Sequence, residues 1–474
     1  MPDVSPKPRN VLLIVSDEHS PRYMGCSGHP VARTPHIDAL AARGVRFQRA
    51  TTPSPICVPA RASLATGRWV HDVRSWHSAQ PWSGDPPGWA HAARATGAQV
   101  TTIGKLHFRS EVDDNGSTDE VLPMHVLDGV GWVQGLFRSD PVPYPESAEL
   151  AADVGVGHTT YTRFDERVAD AAVGWLAEHA AGPVPWVLQV GFVSPHYPLS
   201  APAEFIRPIR HADVRPEIAG HGLDHPVVAA IADFFSYHRG FDEDTTLAGR
   251  RAYLGLCAFL DHNVGRVLTA LSEAGATGET LVVYTSDHGD MAGNHGLWCK
   301  SYMYEDSVGV PMVMAGPGVD PGSVVETSVG LVDIAPTVTG VVGAPLEPGP
   351  GRSLLDLAKG ADPDRPGFSE YHDGGSPTGS FMVRSGDLKY VHHVGERPQL
   401  FDLGEDPDEL VDLGRDPGRA ADRSYCEEVL RSIVDPEEAD RRAFADQRML
   451  EEALGGRIAV ERYSRFDHTP VPEG

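Results

Sequence analysis

Short apolar runs alternate with segments of helical periodicity along most of the chain. Residues 10–16 form a continuous apolar and β-branched run, the pattern of a strand buried on both faces of a parallel sheet. Comparable runs predict further strands at 99–103, 186–193, 280–285 and 311–315. Apolar residues at helical spacing lie between them, at 35–43, 165–180 and 250–274. This alternation predicts an α/β fold with a large, mostly parallel sheet flanked by helices.

The pattern changes after residues 345–366, a segment rich in proline and glycine. Two short strand-like runs, 381–384 and 389–393, flank a Ser-Gly-Asp turn and predict a β-hairpin. A single long helix is predicted over residues 421–454. We therefore expect a smaller α+β unit with an antiparallel sheet to follow the α/β unit.

The length of the chain agrees with two domains. Its 474 residues are too many for one small domain. We place a larger α/β domain, which would carry the active site, at residues 1–365, and a smaller C-terminal domain at residues 366–474. A chain of this size buries enough apolar surface to fold without a disulfide or a structural metal.

The net charge of −26 narrows the classes of partner. A strongly acidic surface repels a phosphate backbone, so we expect no nucleic-acid binding. An anionic small molecule is still allowed, because a pocket can be locally positive. In this chain a metal ion together with a few lysine, arginine and histidine side chains would have to create that local field.

Cysteine usage and the N-terminus bear on the compartment. The five cysteines are odd in number, lie far apart and form no Cys-x-x-Cys pair. A disulfide framework or a zinc knuckle is therefore disfavoured. The first apolar run is too short for a signal peptide or a membrane span. We predict a cytoplasmic protein that does not bind membranes, and leave export by another route open.

Residues 56–68 carry the most informative pattern, Ile-Cys-Val-Pro-Ala-Arg-Ala-Ser-Leu-Ala-Thr-Gly-Arg. Pro59 suits the first turn of a helix, so Cys57 would lie at the helix N-terminus. Free N–H groups and the positive end of the helix dipole favour an anion there. Arg61, one turn on, would face the same anion and hold residue 57 in place. The alternative is a buried structural cysteine before an ordinary helix.

This stretch resembles the type I sulfatase signature, in which Cys-x-Pro-Ser/Ala-Arg is separated by four residues from Thr-Gly-Arg. The resemblance implies an alkaline phosphatase-like sulfatase fold and oxidation of Cys57 to formylglycine by a formylglycine-generating enzyme. A hydrated aldehyde offers one hydroxyl to attack sulfur. Deprotonation of the other then expels sulfate, so water need not attack a hindered centre.

Two acidic pairs suggest a metal site. Asp17-Glu18 and Asp287-His288 each end a predicted strand, and ligands at the ends of neighbouring parallel strands converge on one crevice. In sulfatases the corresponding pairs hold a divalent cation together with the formylglycine at the position of Cys57. Glu18 departs from the usual shorter side chain, which puts its direct ligation in question. Oxygen-rich ligation favours Ca²⁺, with Mn²⁺ or Mg²⁺ as alternatives because of the histidine.

Three further segments match the family. Lys105 and His107 lie in a Gly-Lys-x-His segment; the resemblance implies that the lysine binds sulfate and the histidine acts as a base with a pKa near neutrality. His196 follows a predicted strand and would bind sulfate or protonate the leaving oxygen. Lys300 would contact the sulfate. The alternative for each is an ordinary solvated loop residue.

Residues 287–310 resemble the choline sulfatase branch, and phosphonate monoester hydrolases share its features. The pair formed by Lys105 and His107 favours a sulfatase. An aromatic cage for a quaternary ammonium group would need some of the available tryptophans, although core or surface packing explains each of them better. These are Trp76, Trp82, Trp89 and Trp298.

Three functions remain in competition. The first is hydrolysis of a small-molecule sulfate ester. The second is hydrolysis of a phosphonate, or of a phosphate mono- or diester, on the same scaffold. The third is a non-catalytic relative that only binds sulfate esters. The resemblance runs from residue 11 to about residue 413, most of the chain. The oligomeric state, including a homo-oligomer, stays open.

Overall fold

The computed structural model describes residues 7–138, 147–218, 220, 222–461 and 469–472. The strands of this part of the chain are β1 (Asn10–Asp17), β2 (Val45–Phe47), β3 (Ala50–Thr51), β4 (Gln99–Lys105), β5 (Asp119–Met124), β6 (Gly155–Val156), β7 (Trp186–Pro195), β8 (Ser200–Ala201), β9 (Thr280–Ser286), β10 (Met312–Ala315), β11 (Ser323–Val325), β12 (Val329–Gly330), β13 (Gly367–Tyr371), β14 (Ser380–Ser385), β15 (Leu388–His393) and β16 (Gln399–Asp402).

Eight of these strands form the central sheet, in the order β11-β2-β10-β9-β1-β7-β4-β5. β1 pairs in parallel with β7 on one side and β9 on the other, and β4 pairs in parallel with β7 and β5. β10 runs antiparallel to both of its neighbours, so the sheet is mostly parallel. The predicted fold class is confirmed, and all five predicted strands are present in this sheet.

Helices cover both faces of the sheet. The α-helices are α1 (Pro35–Ala42), α2 (Cys57–Thr66), α3 (Val70–Val73), α4 (Trp89–Ala95), α5 (Ser147–Ala152), α6 (Thr160–His179), α7 (Ala203–Ile206), α8 (Pro226–Phe235), α9 (Glu243–Glu273), α10 (Glu305–Val308), α11 (Ile334–Val342), α12 (Leu354–Leu357), α13 (Ala420–Ile433), α14 (Pro436–Ala453) and α15 (Arg457–Val460).

The layers follow from the alternation of side chains along β1. Leu12 and Ile14 pack in one core with residues of α1, α6 and α9. Leu13 and Val15 point to the opposite face and pack with residues of α2, α4, α11 and α12. A strand with helices on both sides has no solvent-facing surface, which explains why β1 is apolar at consecutive positions up to residue 15.

The second sheet, β13-β14-β15-β16, is antiparallel throughout. The predicted hairpin is its β14–β15 pair. The single helix predicted over 421–454 is wrong: α13 ends at Ile433 and α14 begins at Pro436. Proline cannot continue a helix across this point, and Asp435 caps the new helix by accepting from the backbone N–H of Glu438.

The second sheet packs against segments that lie before it in the chain. Phe381 and Leu400 of the second sheet pack in one cluster with Val70 and Trp76, which precede the predicted boundary at residue 365. The division of the chain at that point stays a prediction. Among the described residues, no helix combines the length and apolar character needed to cross a membrane.

Candidate active site

The carboxyl ends of the central strands supply most of the site. Because β1 lies between β7 and β9, their ends are side by side at one edge of the sheet. Asp17 is the last residue of β1, Lys105 is the last residue of β4, and Asp287 and His196 directly follow β9 and β7. All four side chains are buried. The topology therefore brings residues from distant parts of the chain to one place, as expected for a parallel sheet.

The helix α2 brings Cys57 to the same edge. Cys57 is the first residue of this helix, and Gly67 ends it in the left-handed conformation with φ 69°. This agrees with the predicted helix N-terminus. Burial raises the pKa of the Cys57 thiol to about 12, so the unmodified residue is a neutral thiol at physiological pH.

Arg61 connects the acidic groups. Its Nε donates to Asp287 Oδ2 at 2.7 Å and one terminal nitrogen to Asp17 Oδ2 at 3.2 Å. The other terminal nitrogen donates to the backbone carbonyl of Lys105 at 2.9 Å. The expectation that Arg61 faces a bound anion therefore needs correction. Its planar fork of donors is taken up by the two carboxylates and a carbonyl, so it orients them instead.

Four donor atoms converge beside the start of α2. Donor atoms of Asp17, Cys57, Asp287 and His288 all lie within 4.8 Å of one another. Cys57 Sγ is 3.1 Å from His288 Nε2 and 3.7 Å from Asp17 Oδ1. His288 Nδ1 is 3.0 Å from the carbonyl of Gly289, which can only accept. Nδ1 therefore carries the proton and Nε2 directs a lone pair at the cluster.

Glu18 lies beside this cluster and outside it. Its Oε2 is 3.1 Å from Lys300 Nζ and 3.4 Å from His196 Nε2. Its Oε1 is buried without a hydrogen-bond partner among the described residues. Burial raises the pKa of Glu18 to about 8. Glu18 also groups with Asp290 and Cys299, which the sequence reasoning missed because a single Asp or Cys in a loop carries no distinguishing pattern.

Lys105 and His107 lie together at the wall of a cavity that Cys57, His196 and Lys300 also line. Lys105 Nζ is 2.6 Å from Asp17 Oδ2. Burial, reinforced by the charge of Lys105, holds the pKa of His107 well below its usual value. The expectation that the pKa of His107 lies near neutrality is therefore wrong for this structure. Both ring nitrogens of His107 are buried and have no partner among the described residues, so a neutral imidazole faces the cavity.

His196 is also neutral. Its Nδ1 donates to the carbonyl of Tyr197 at 2.7 Å, and burial together with the charge of Lys300 holds its pKa well below the usual value. Lys300 Nζ lies 5.3 Å from the centre of the Tyr197 ring. Both residues line the cavity. An imidazole that already donates from Nδ1 leaves Nε2 as an acceptor, so proton donation from this residue requires prior protonation.

Beyond these polar groups the cavity is walled by aromatic side chains that the sequence did not indicate. Its lining includes Trp132, Tyr161, Tyr197, Phe235 and Tyr237. These residues come from separate loops and helix ends, so no local spacing marks them. The tryptophans considered for an aromatic cage are absent from the described lining and buried elsewhere; these are Trp76, Trp82, Trp89 and Trp298.

Comparison with known proteins agrees with this arrangement. A family model described as Sulfatase matches residues 9–344, and one described as N-sulphoglucosamine sulphohydrolase, C-terminal, matches residues 293–433. The choline-sulfatase of Rhizobium meliloti (strain 1021) is 30% identical over 417 residues, which cover 85% of this chain and 81% of that protein. Arylsulfatase K of Homo sapiens is 30% identical over 438 residues, covering 85% and 78%.

Solved structures show the same fold. The phosphonate monoester hydrolase of Agrobacterium radiobacter superposes with a TM-score of 0.75 at 26% identity, covering 90% of this chain and 95% of that one. The Sulfatase model alone spans most of the chain, including the start of α2 and the strand ends that meet there. This chain therefore belongs to the sulfatase family of sulfuric ester hydrolases.

Proposed function

We propose that the chain hydrolyses small-molecule sulfate esters with residue 57, converted to formylglycine, as the nucleophile and a divalent cation beside it. The observation that carries this proposal is the position of Cys57. It begins a helix, lies 3.1 Å from His288 Nε2 and 3.7 Å from Asp17 Oδ1, and opens onto a cavity with two lysines. A merely structural cysteine has no need of carboxylates and lysines around it.

The donor set suits a divalent cation. Asp17 and Asp287 each place one oxygen on Arg61 and turn the other, Oδ1, toward Cys57 and His288. These residues would hold the ion, which supplies Lewis-acid stabilisation of negative charge on the sulfate oxygens. Hard oxygen donors favour Ca²⁺, and the imidazole keeps Mn²⁺ and Mg²⁺ as alternatives. Glu18 is closer to Lys300 and His196 than to this set.

Position 57 would act only after conversion, so a formylglycine-generating enzyme is a required partner. The hydrated aldehyde supplies one hydroxyl to attack sulfur and a second whose deprotonation releases sulfate. Cys57 itself, as a buried neutral thiol, is poorly suited to attack.

The remaining side chains of the site would have separate roles in binding sulfate and accepting a proton. Lys105 and Lys300 bind the sulfate oxygens from two sides of the cavity. His107, neutral and without a described partner, accepts a proton at a ring nitrogen. A sulfate next to Lys105 would offset its charge and raise the pKa of His107, which strengthens this base when substrate is present. His196 orients the sulfate from the side of Glu18.

The size of the cavity limits how much of the substrate it can enclose. Its volume is about 80 Å³, and a water molecule needs about 10–15 Å³ by the same measure, so it holds about five to eight water molecules. That is room for the sulfate and the first atoms of the alcohol. The rest of the substrate would lie along the aromatic wall toward the opening.

Phosphonate and phosphate ester hydrolysis is the second candidate. It is favoured by the structural similarity to a phosphonate monoester hydrolase. The sulfatase family model and the sulfatase relatives weigh against it.

The prediction of a cytoplasmic location rests on the sequence alone.

Paired substrates test the proposal. The chain is produced with a converting enzyme, residue 57 is checked by peptide mass spectrometry, and turnover of 4-nitrophenyl sulfate is compared with that of 4-nitrophenyl phenylphosphonate. We expect turnover of the sulfate, none in Cys57→Ala, and normal turnover in the control Cys257→Ala, which changes a buried cysteine of α9. Preference for the phosphonate would favour the second candidate. Converted protein without turnover of either ester would favour a binding protein.

A further inference from the structure

The four-donor cluster has a different chemistry when residue 57 is still a cysteine. A thiolate, an imidazole and two carboxylates are a donor set typical of Zn²⁺, whereas Ca²⁺ and Mg²⁺ prefer oxygen ligands only. All four residues are buried: Asp17, Asp287 and His288 are 0% exposed and Cys57 is 6% exposed. The cluster in the unconverted chain is therefore chemically softer than the site needed for sulfate ester hydrolysis.

The distances fit a compact tetrahedral ion. With bonds of about 2.0–2.3 Å, ligand atoms of a tetrahedral zinc site lie about 3.3–3.6 Å apart. Cys57 Sγ lies 3.1 Å from His288 Nε2 and 3.7 Å from Asp17 Oδ1. His288 Nε2 lies 3.8 Å from Asp17 Oδ1 and 3.6 Å from Asp287 Oδ1. These four separations differ from the tetrahedral range by a few tenths of an ångström at most, and all four donor atoms lie within 4.8 Å of one another.

The surrounding contacts already orient the ligands. Arg61 holds Oδ2 of both carboxylates. Oδ1 of Asp287 accepts from the backbone N–H groups of Glu18 and His288, which fixes it beside His288 Nε2. The carbonyl of Gly289 fixes the tautomer of His288 that presents a lone pair at Nε2. Cys57 begins a ten-residue helix, which holds its Sγ beside His288 Nε2 and Asp17 Oδ1. Such support is what distinguishes a prepared metal site from a chance grouping.

We propose that the unconverted chain binds Zn²⁺ through Asp17, Cys57, Asp287 and His288, and that conversion of Cys57 switches the site from thiophilic to oxygen-preferring cations. On binding, the thiol loses its proton to solvent and a sulfur–metal bond forms, with no change of oxidation state. Replacing the sulfur by an aldehyde hydrate removes the one soft ligand. The same pocket would then discriminate between metals according to the chemical state of residue 57.

Zn²⁺ binding by the thiol form stands independently of the proposed catalysis, whereas the switch on conversion rests on the proposed function. A second site could also bind a thiophilic metal. Glu18, Asp290 and Cys299 form another buried group of donors within 4.8 Å of one another. A thiolate signal from that group would involve Cys299 and not Cys57. The two cysteines therefore make a matched pair for mutation.

The test uses the full chain made in a host without converting enzyme, with the thiol at position 57 confirmed by mass spectrometry and metals removed by a chelator. Co²⁺ is added as a spectroscopic probe, because a thiolate ligand gives an intense near-ultraviolet charge-transfer band. Zn²⁺ is then titrated in to displace it, and bound metal is counted by elemental analysis. We expect one equivalent of Co²⁺ with the band, displaced by one equivalent of Zn²⁺ and not by Ca²⁺.

Two variants assign the ligand. Cys57→Ser should abolish the band and weaken Zn²⁺ binding by more than about 100-fold, since losing even an outer-shell partner costs about 10–100-fold. Cys299→Ser should keep both. A band that survives Cys57→Ser, or is lost in Cys299→Ser, overturns the proposal, as does absence of any band in the unsubstituted chain. Circular dichroism confirms that each variant is folded, and His288→Gln, which removes a second ligand, must also weaken Zn²⁺ binding.

Discussion

Replacing Arg61 by alanine should destabilise the protein far more than an ordinary surface substitution. The guanidinium is 2% exposed and donates to Asp17, Asp287 and the carbonyl of Lys105. Breaking a buried ion pair by removing one partner costs about 3–5 kcal/mol, because the remaining charge stays buried. Lys105 still lies 2.6 Å from Asp17, so the loss falls mainly on Asp287. We expect a decrease of about 3–5 kcal/mol in the free energy of unfolding.

Urea unfolding at neutral pH, with a chelator present, measures this decrease. Arg9→Ala is the matched control: its ion pair with Glu279 has side chains 37% and 59% exposed, and such pairs contribute about 0–1 kcal/mol. Added Ca²⁺ should stabilise Arg61→Ala more than the unsubstituted chain, because the variant has two carboxylates that lack their guanidinium. If Arg61→Ala lost no more stability than Arg9→Ala, Arg61 would not be what holds these carboxylates.

Three other substitutions test separate features. Gly104→Ala should destabilise β4 by about 1–3 kcal/mol in thermal unfolding, since φ is +93° and a Cβ would lie 2.2 Å from the facing carbonyl of β7. Burial alone would raise the pKa of Glu370, but the charges and hydrogen bonds of His71 and His372 together outweigh it, and the pKa falls to about 2. This contribution to stability is present above pH 4.5 and lost as the pH falls toward 2, so Glu370→Gln should flatten the acid limb of a plot of unfolding free energy against pH. Above pH 8, where Glu18 is ionised, Glu18→Gln should tighten binding of inorganic sulfate in calorimetry by freeing Lys300, while leaving Ca²⁺ affinity within about threefold; a large loss of Ca²⁺ affinity would instead make Glu18 a ligand.

The central sheet could be predicted because its strands are buried on both faces. Residues 11–15 have one requirement at every position, an apolar side chain, and the sequence shows it directly. The break between α13 and α14 also had a visible signal, Asp435 followed by Pro436, which is a cap and a first-turn proline. The helical periodicity on both sides of this signal nevertheless predicts one continuous helix.

The site was only partly predictable, for a different reason. Residues at strand ends could be grouped, because parallel strands bring their carboxyl ends together. The partners of Arg61 could not, since a guanidinium one turn into a helix reaches an anion or a carboxylate equally well. The aromatic wall, including Trp132 and Phe235, depends on how separate loops and helix ends pack, and no periodicity records that.

The charges beside the cavity indicate what the proposed divalent cation would add to the binding of an anion. Three cationic side chains contact three carboxylates there: Arg61 bonds Asp17 and Asp287, Lys105 pairs with Asp17, and Lys300 pairs with Glu18. Above pH 8, where Glu18 is ionised, the formal charges of these groups cancel; at neutral pH, where Glu18 is mostly protonated, one net positive charge is left. A divalent cation among Asp17, Asp287 and His288 would add two positive charges, the charge needed to offset that of a departing sulfate. The lysines would then donate hydrogen bonds to the sulfate in fixed directions, and the ion would supply most of the positive electrostatic potential that attracts it.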